Sequence, residues 1–239
     1  MKLIHLSDIH LTENGRKIWE TNTLAHFQKA IQRIKELSGI DGIVISGDLS
    51  DDGSLWTYKY IDQAFAKIET PTFCCPGNHD NLREFYQGYK PLFCKIKETF
   101  ELCGWTFIML NSAMIGMSRG SINPEKLSQH IQQSIGPVAI ILHHPPIEQK
   151  GWLNRKLLDN RDIFNDIIQH STNVRLVLYG HTHYHTDSII NGIVYSSAPS
   201  IGFAFNPNLP KFEIASGEEG FNVIETKDDS ITITTVKLL

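Results

Sequence analysis

The sequence has few cysteines, no long apolar run and only a small net charge, and each of these shortages excludes a class of protein. Its four cysteines form no C-x-x-C pair, which predicts buried thiols in a reducing compartment rather than a disulfide framework or a zinc site. No apolar run approaches about 18 residues and no signal peptide is visible, so we expect no membrane-spanning helix and a cytoplasmic location. A formal net charge of −4 argues against a broad nucleic-acid-binding surface.

The apolar content of the chain is sufficient for one large core. Hydrophobic residues make up 41% of the 239 residues, and charged residues make up 20% without a long biased segment. No repeat, linker or low-complexity tract divides the chain. We therefore predict a single domain over residues 1–239, and no feature of the sequence indicates an oligomeric state.

Short apolar runs alternate with helical patterns through the first third of the chain. Residues 2–6, 42–46 and 72–75 are predicted to be buried strands, and two segments with helical spacing separate them. This β-α-β-α-β order favours a parallel sheet with right-handed crossovers. Later strands are predicted at residues 97–102, 105–110, 137–142 and 175–179, and in hairpins around residues 191–192 and 228–230. The chain is therefore interpreted as an α/β domain built on two sheets.

Four main helices are predicted, three from apolar residues at helical spacing and one from its Asn123-Pro124 start, and residues 81–88 are predicted to form a further short helix. Gly39 is expected to be the C-cap of the first, and Asn123, followed by Pro124, the N-cap of the third. The fourth is expected to face the core with Ile163, Phe164, Ile167 and Ile168.

Polar side chains that can perform chemistry follow five of the predicted strands. The sharpest group is Asn78-His79-Asp80, which comes directly after a Pro-Gly turn. Its amide oxygen can bind a hard metal, its imidazole can move a proton, and its carboxylate can orient that imidazole. Ligands in open α/β sheets bind at the carboxyl ends of the strands. The candidates at these ends are Asp8, His10, Asp48, Asn78, His79, His143, His181 and His183.

This set contains too many ligands for one zinc ion. Two carboxylates, one amide and several imidazoles suit two divalent cations that share a carboxylate. The mixture of nitrogen and oxygen donors indicates manganese, iron or zinc.

The same residues lie in five blocks that resemble those of the calcineurin-like metallophosphoesterases. That family carries D-x-H, G-D-x-x-D, G-N-H-[DE], a strand-end His and G-H-x-H. This chain has them in the same order, as Asp8-Ile-His10, Gly47-Asp-Leu-Ser-Asp51, Gly77-Asn-His-Asp80, His143 and Gly180-His-Thr-His183. The resemblance implies a four-layer α-β-β-α sandwich of two mixed sheets, with a dinuclear metal site at the carboxyl ends of the strands.

The resemblance also implies a role for each candidate. One cation would be held by Asp8, His10, Asp48 and His183. The other would be held by Asp48, Asn78, His143 and His181, with Asp48 bridging the two. His79 would protonate the leaving oxygen and Asp80 would orient His79. Asn78, His79 and His183 would contact the substrate, whereas Asp51 is not expected to be a ligand.

One ligand has a neighbour that could replace it. We expect His143 because it ends the apolar strand and because the family's related pattern has the ligand, then one further residue, then a proline. His144 stays an alternative.

Within the family the chain most resembles the CpdA-type class III cyclic-nucleotide phosphodiesterases. The resemblance lies in residues 47–53, 143–146, 152–153 and 197–200. Two positions depart from that pattern, because Asn111 and Asn154 stand where such enzymes often carry Asp, and this leaves the choice of substrate open.

The expected function is hydrolysis of a 3′,5′-cyclic nucleotide, with cyclic AMP favoured, to a 5′-nucleoside monophosphate by a hydroxide that bridges the metals. The alternatives are cleavage of another diester, such as a glycerophosphodiester or a nucleotide-linked lipid, a DNA nuclease of the SbcD type, and a non-catalytic scaffold of the same fold. Base preference is open. Phe203, Phe205, Trp152 and Tyr184 could stack on a base, although core or rim packing is the simpler expectation.

Overall fold

The computed structural model describes residues 1–228 and 230–238, and these form twelve strands and four α-helices. The strands are β1 (Lys2–Leu6), β2 (Gly42–Ser46), β3 (Thr72–Cys75), β4 (Cys94–Lys95), β5 (Thr99–Leu102), β6 (Trp105–Met109), β7 (Val138–Leu142), β8 (Val174–Tyr179), β9 (Thr186–Ile190), β10 (Ile193–Ser197), β11 (Gly220–Lys227) and β12 (Ser230–Lys237). The helices are α1 (Thr23–Glu36), α2 (Leu55–Phe65), α3 (Pro124–Gln133) and α4 (Arg161–Gln169). None of these helices is both long and apolar enough to cross a bilayer.

The strands form two mixed six-stranded sheets. The first has the order β12-β11-β1-β2-β3-β4, in which β1 to β4 run parallel and β11 pairs antiparallel with β1. The second has the order β5-β6-β7-β8-β10-β9, in which β6, β7, β8 and β10 run parallel. The two predicted sheets are therefore confirmed, and the short strand β4 is an addition that the sequence pattern did not predict.

Alternation along the central strands divides the core into layers. In β2, Val44 packs between the sheets, whereas Ile43 and Ile45 face α1 and α2. In β7, Ile141 packs between the sheets and Ile140 faces α3 and α4. Both faces of each sheet are thus covered, which explains why the central strands read as continuous apolar runs. The four-layer α-β-β-α arrangement is confirmed.

The helix ends are only partly as expected. Asn123 caps α3, since its Oδ1 accepts a hydrogen bond from the backbone N–H of Lys126 at 2.8 Å. The expectation for Gly39 was wrong, because α1 ends at Glu36 and Leu37 already has an extended backbone. Gly39 has a φ of +67° but lies in the loop beyond the cap.

The buried face of α4 is narrower than the apolar pattern indicated. Phe164 and Ile168 are buried and Ile167 is partly buried, as expected, but Ile163 is 51% exposed. Phe164 and Ile168 are one helical turn apart and define the inner stripe, and Ile163 is rotated away from it by about 100°.

The hairpin predicted at residues 191–192 is present. Asn191 and Gly192 both have left-handed backbones, with φ of 51° and 80°, as the tight turn between two twisted strands requires. The last hairpin pairs β11 with β12 as expected, but Asp229 in its turn lies outside the described residues.

Candidate metal centre

The carboxyl ends of β1, β2 and β3 meet those of β7 and β8 at one end of the sandwich. All seven expected ligands come together there, and each has a polar atom within 3.2 Å of another member. Six of them are buried and Asn78 is partly buried. The seven residues are Asp8, His10, Asp48, Asn78, His143, His181 and His183.

The loops that carry these side chains have an unusual backbone. Five of the seven residues have a positive φ, in a region that non-glycine residues rarely adopt. Such conformations cost of order 1 kcal/mol or more each and persist where the surrounding structure requires them. The five are Asp8 (54°), His10 (49°), Asp48 (50°), His181 (68°) and His183 (58°).

Gly47 shows how closely these loops approach one another. Its φ is +98°, and a Cβ at this position would lie 2.6 Å from Nδ1 of His143. The glycine therefore lets β2 end directly against the ring that ends β7.

Asp8, His10 and His183 form the first half of the cluster. The Nε2 atom of His183 lies 3.1 Å from Oδ1 of Asp8 and 3.2 Å from Nε2 of His10. The Nε2 atom of His10 also lies 3.5 Å from Oδ2 of Asp48. Asp8, His10 and His183 thus bring three potential ligand atoms together, and Asp48 adds a fourth beside His10.

The second half is centred on His143. Its Nε2 atom lies 3.2 Å from Oδ2 of Asp48, 3.1 Å from Oδ1 of Asn78 and 3.2 Å from Nδ1 of His181. The Asp48 Oδ2 atom is therefore next to both halves. This is the position that a carboxylate shared by two cations would occupy.

Outer hydrogen bonds set the orientation of three of the rings. In each, Nδ1 faces an acceptor outside the cluster and Nε2 faces inward. The three pairs are His10 with Asp51 at 3.1 Å, His143 with the carbonyl of Ser46 at 2.8 Å, and His183 with the carbonyl of Phe203 at 2.7 Å. A carbonyl or an ionised carboxylate can only accept, so in the neutral rings the proton is on Nδ1 and the inward Nε2 carries a lone pair, as in histidines that bind metals.

When the rings are neutral, as metal binding requires, the inward atoms have too few protons to satisfy one another. In the neutral rings, His10 and His183 direct lone pairs at each other. Asp8 Oδ1 and His181 Nε2 are buried without a hydrogen-bond partner among the described residues. Buried polar atoms without partners are costly, and bound cations would satisfy these. The donor set thus fits two divalent cations.

The electrostatic field points to the same conclusion. Burial alone would lower the pKa of His143, but the charge of Asp48 and the hydrogen bond to it outweigh burial and raise the pKa to about 9. Burial would also lower the pKa of His10, but hydrogen bonds to Asp51 and Asp8 outweigh burial and raise that pKa to about 10. The buried carboxylates thus make the centre strongly attractive to positive charge.

His79 lies beside the cluster and is open to solvent. Its side chain is 43% exposed, and its Nδ1 is 3.2 Å from Oδ1 of Asp51. Burial alone would lower the pKa of His79, but the hydrogen bond to Asp51 and the charge of Asp48 raise it overall. His79 is therefore suited to hold a proton at the mouth of the site.

The orienting role expected for Asp80 is not what its contacts show. The Asp80 carboxylate accepts hydrogen bonds from the backbone N–H groups of Gly77, Leu49 and Ser50, at 2.8 to 3.2 Å. It thus ties the loop after β3 to the loop after β2, and Asp51 takes the place beside His79. The signal for Asp51 in the sequence is its position at the end of the G-D-x-x-D block, although Asp51 was not expected to be a metal ligand.

His144 and the two asparagines lie around the centre. Nδ1 of His144 pairs with the hydroxyl of Ser112 at 2.9 Å, while its buried Nε2 has no partner in the described structure. His144 can also form a cluster with His143 and His181, so the alternative stays open. Asn111 and Asn154 are exposed, and each amide oxygen accepts a backbone N–H of its own loop.

Comparisons with known proteins agree with this geometry. A family model described as calcineurin-like phosphoesterase matches residues 1–185. The 3′,5′-cyclic-nucleotide phosphodiesterase of Nostoc sp. is 26% identical over 244 residues, which cover 99% of this chain and 92% of the relative. The 3′,5′-cyclic adenosine monophosphate phosphodiesterase CpdA of Haemophilus influenzae is 27% identical over 248 residues, which cover 99% and 89%.

The fold also matches a solved structure. A dimetal phosphatase from Danio rerio superposes with a TM-score of 0.74, and the match covers 100% of this chain and 96% of that one. The two share only 10% sequence identity, so this likeness concerns the fold alone.

Proposed function

The chain belongs to the calcineurin-like phosphoesterases, and from that premise we propose that it hydrolyses 3′,5′-cyclic nucleotides, with cyclic AMP as the favoured substrate. The observation that carries the proposal is the position of Asp48 Oδ2, which lies 3.5 Å from His10 Nε2 and 3.2 Å from His143 Nε2, between two sets of inward lone pairs. The full-length similarity to two cyclic-nucleotide phosphodiesterases supports the choice of substrate.

Each half of the cluster would hold one cation. The first set of ligands is Asp8, His10, Asp48 and His183. The second set is Asp48, Asn78, His143 and His181. When bound, the two cations would act as Lewis acids toward the phosphoryl oxygens and lower the pKa of water toward neutrality. Manganese, iron and zinc all suit these nitrogen and oxygen donors.

The residues of the chain would perform the remaining steps. Water releases one proton to the solvent and its oxygen forms a new bond to phosphorus. The bond from phosphorus to the ribose 3′ oxygen breaks, and that 3′ oxygen takes a proton. His79 is placed to donate this proton, because its side chain is exposed at the mouth and its pKa is raised. Asp51 orients the His79 ring through Nδ1, which leaves Nε2 free to face the substrate.

Asn78, His79 and His183 would also contact the phosphate. Asn78 and His79 follow β3 of the first sheet and His183 follows β8 of the second, so the phosphate would lie at the end of the sandwich where the two sheets meet. Asp80 would act through the backbone, by fixing the loop that presents Asn78 and His79.

A non-catalytic scaffold of the same fold is the alternative of a different class. A protein kept only for binding has no need of seven converging ligand side chains, or of strained backbone at five of them. Their retention supports the catalytic proposal. Another diester, such as a glycerophosphodiester or a nucleotide-linked lipid, would use the same metal centre and is separated by the assay below.

The test is hydrolysis of cyclic AMP and of bis-p-nitrophenyl phosphate, with added manganese and then with a chelator. We expect chelator-sensitive release of AMP, faster than cleavage of the generic ester. Cleavage of the generic ester alone would overturn the cyclic-nucleotide assignment and retain the metal centre. Absence of both reactions in protein with two cations bound would support the scaffold.

A further inference from the structure

Five aromatic side chains from three separate loops pack together beside the metal centre. We call them the aromatic rim: Trp19, Trp152, Phe203, Phe205 and Phe212. Each ring contacts at least one other at a centroid distance between 4.6 and 5.7 Å. An aromatic group this size next to a reaction centre requires an explanation from packing or from binding.

The inner members of the rim pack against the expected metal ligands. The Phe203 ring lies 4.8 Å from the His10 ring and 4.7 Å from the His183 ring, and Phe205 stacks on His183 at 4.1 Å. Both phenylalanines are buried, with 1% and 6% exposure. Neither ring has a face open to solvent, so packing is a sufficient explanation for both. The same explanation applies to Tyr184, which is 6% exposed.

The outer members of the rim are different. Trp19 is 56% exposed and Phe212 is 41% exposed, although both are large and apolar. Their rings contact each other at 4.6 Å, and Trp19 also meets the edge of Phe203 at 4.9 Å. Two ring contacts therefore lead from the exposed Trp19 through Phe203 to His10.

The backbone at Trp19 is held in a conformation that suits its residue type poorly. Trp19 and Glu20 have φ of 44° and 63° and form a two-residue turn, closed by hydrogen bonds between Ile18 and Thr21 at 3.1 and 2.8 Å. Left-handed turns of this kind favour Asn and Gly, and a bulky residue there is an outlier.

Another two-residue turn of this chain has the residue types that a left-handed backbone favours. The hairpin between β9 and β10 has Asn191 and Gly192 at the two equivalent positions, with φ of 51° and 80°. A tryptophan at position 19 thus has a conformational cost, and more than half of its side chain is left exposed to solvent. Unusual backbone of this kind concentrates at binding and catalytic sites.

We propose that Trp19, supported by Phe212, is the surface on which the nucleobase of the substrate stacks. The proposal rests on the proposed function and names the part of the chain that recognises the organic half of the diester. His79 and Phe203 each lie 4.8 Å from the His10 ring, and Trp19 lies 4.9 Å from Phe203, so the rim begins one ring contact away from the cluster that would bind the phosphate. In a nucleotide a ribose separates the phosphate from the base, so a base stacked on Trp19 would lie two ring contacts from His10.

Stacking of this kind depends on the aromatic face and not on base-specific hydrogen bonds. Every nucleobase has such a face, so the platform would separate nucleotides from non-aromatic phosphates more strongly than it separates one base from another.

The experiment compares binding of AMP and of ribose 5-phosphate to the full chain with manganese present. The variants are Trp19→Ala, Trp19→Phe and, as a matched control, Trp56→Ala. Trp56 also stacks on an aromatic neighbour, Tyr60 at 5.1 Å, but on α2 rather than in the rim. Binding is followed by calorimetry and by quenching of tryptophan fluorescence.

We expect Trp19→Ala to weaken AMP binding by roughly 5- to 150-fold and to leave ribose 5-phosphate unchanged. Trp19→Phe should retain most of the AMP affinity but lose most of the AMP-induced quenching. Trp56→Ala should retain both.

The outcomes separate this proposal from the function on which it rests. If the wild-type chain hydrolyses cyclic AMP but binds AMP no more tightly than ribose 5-phosphate, the platform is wrong and the function stands. If the chain does not hydrolyse cyclic nucleotides but Trp19→Ala still removes a preference for AMP, the platform stands and the proposed substrate is wrong. An equal loss for both ligands in Trp19→Ala would contradict stacking, because it would indicate damage to the phosphate site.

Discussion

Replacing His79 by alanine is expected to slow hydrolysis of cyclic AMP by about 10²- to 10⁴-fold while both cations stay bound. The ring lies at the mouth of the cluster, with Nδ1 fixed by Asp51 at 3.2 Å and its side chain 43% exposed. It is therefore positioned to donate a proton rather than to hold the structure together. A well-placed general acid contributes a factor of this size, which is about 2.7 to 5.4 kcal/mol of barrier.

The leaving group makes the magnitude testable. The ribose oxygen of cyclic AMP is a poor leaving group without a proton, so its departure should depend on His79. The p-nitrophenolate of bis-p-nitrophenyl phosphate leaves as a stable anion, so the same variant should change its release by less than about tenfold. The ratio of the two effects therefore isolates proton donation from substrate binding.

The assay measures kcat for both esters, together with metal content by elemental analysis. His170→Ala is the matched control, because the side chain of His170 is 80% exposed at the end of α4. An equal loss on both esters would refute the role as an acid. A loss of cation would instead make His79 a ligand, which its proximity to His10 and Asp48 also allows.

Three further predictions concern the orientation of His10, the packing of α4 and the accessibility of the cysteines. Asp51→Asn should weaken cation affinity by about 10- to 100-fold in a metal titration, because Asp51 orients the ring of His10; unchanged affinity would remove that role. Phe164→Ala should lower the free energy of unfolding by about 3 to 5 kcal/mol in a urea titration, because Phe164 is fully buried. Ile163→Ala, at the exposed neighbouring position, should change this free energy by no more than about 0.5 kcal/mol. Equal effects would contradict the packing of α4. In the native protein only Cys103 should react rapidly with a thiol reagent, since the other three thiols are buried and burial raises their pKa; fast modification of more than one thiol per chain would refute this.

The positions of the candidate ligands could be predicted because they depend on strand ends. Asp8, Asp48 and His143 each follow an apolar run that forms a buried strand, and parallel strands bring their carboxyl ends to one place. The turn at Asn191 could also be predicted, because Asn favours the left-handed backbone that this turn requires. These are local signals that the tertiary structure did not override.

Other features depend on contacts between distant segments and could not be predicted from local pattern. Asp80 follows His79 directly, yet its carboxylate is captured by backbone N–H groups of the loop after β2. Asp51 reaches His79 only because two loops of the first sheet lie side by side. Trp19 lies in a polar loop, and nothing in its neighbourhood in the sequence indicates that it packs against Phe212.

Asp48 is proposed to be shared by two cations, and the metal content of the Asp48→Asn variant is the sharpest test of that role. In the native chain Asp48 Oδ1 accepts a hydrogen bond from the backbone N–H of His79 at 2.8 Å. Asparagine has nearly the same shape and keeps an oxygen that can accept this bond, but it removes the negative charge between the two halves of the cluster. We predict two cations per wild-type chain after loading with manganese, at most one in the variant, and loss of cyclic AMP hydrolysis with it. Two bound cations and an unchanged rate in a folded Asp48→Asn chain would show that binding of the two cations does not depend on the charge of Asp48.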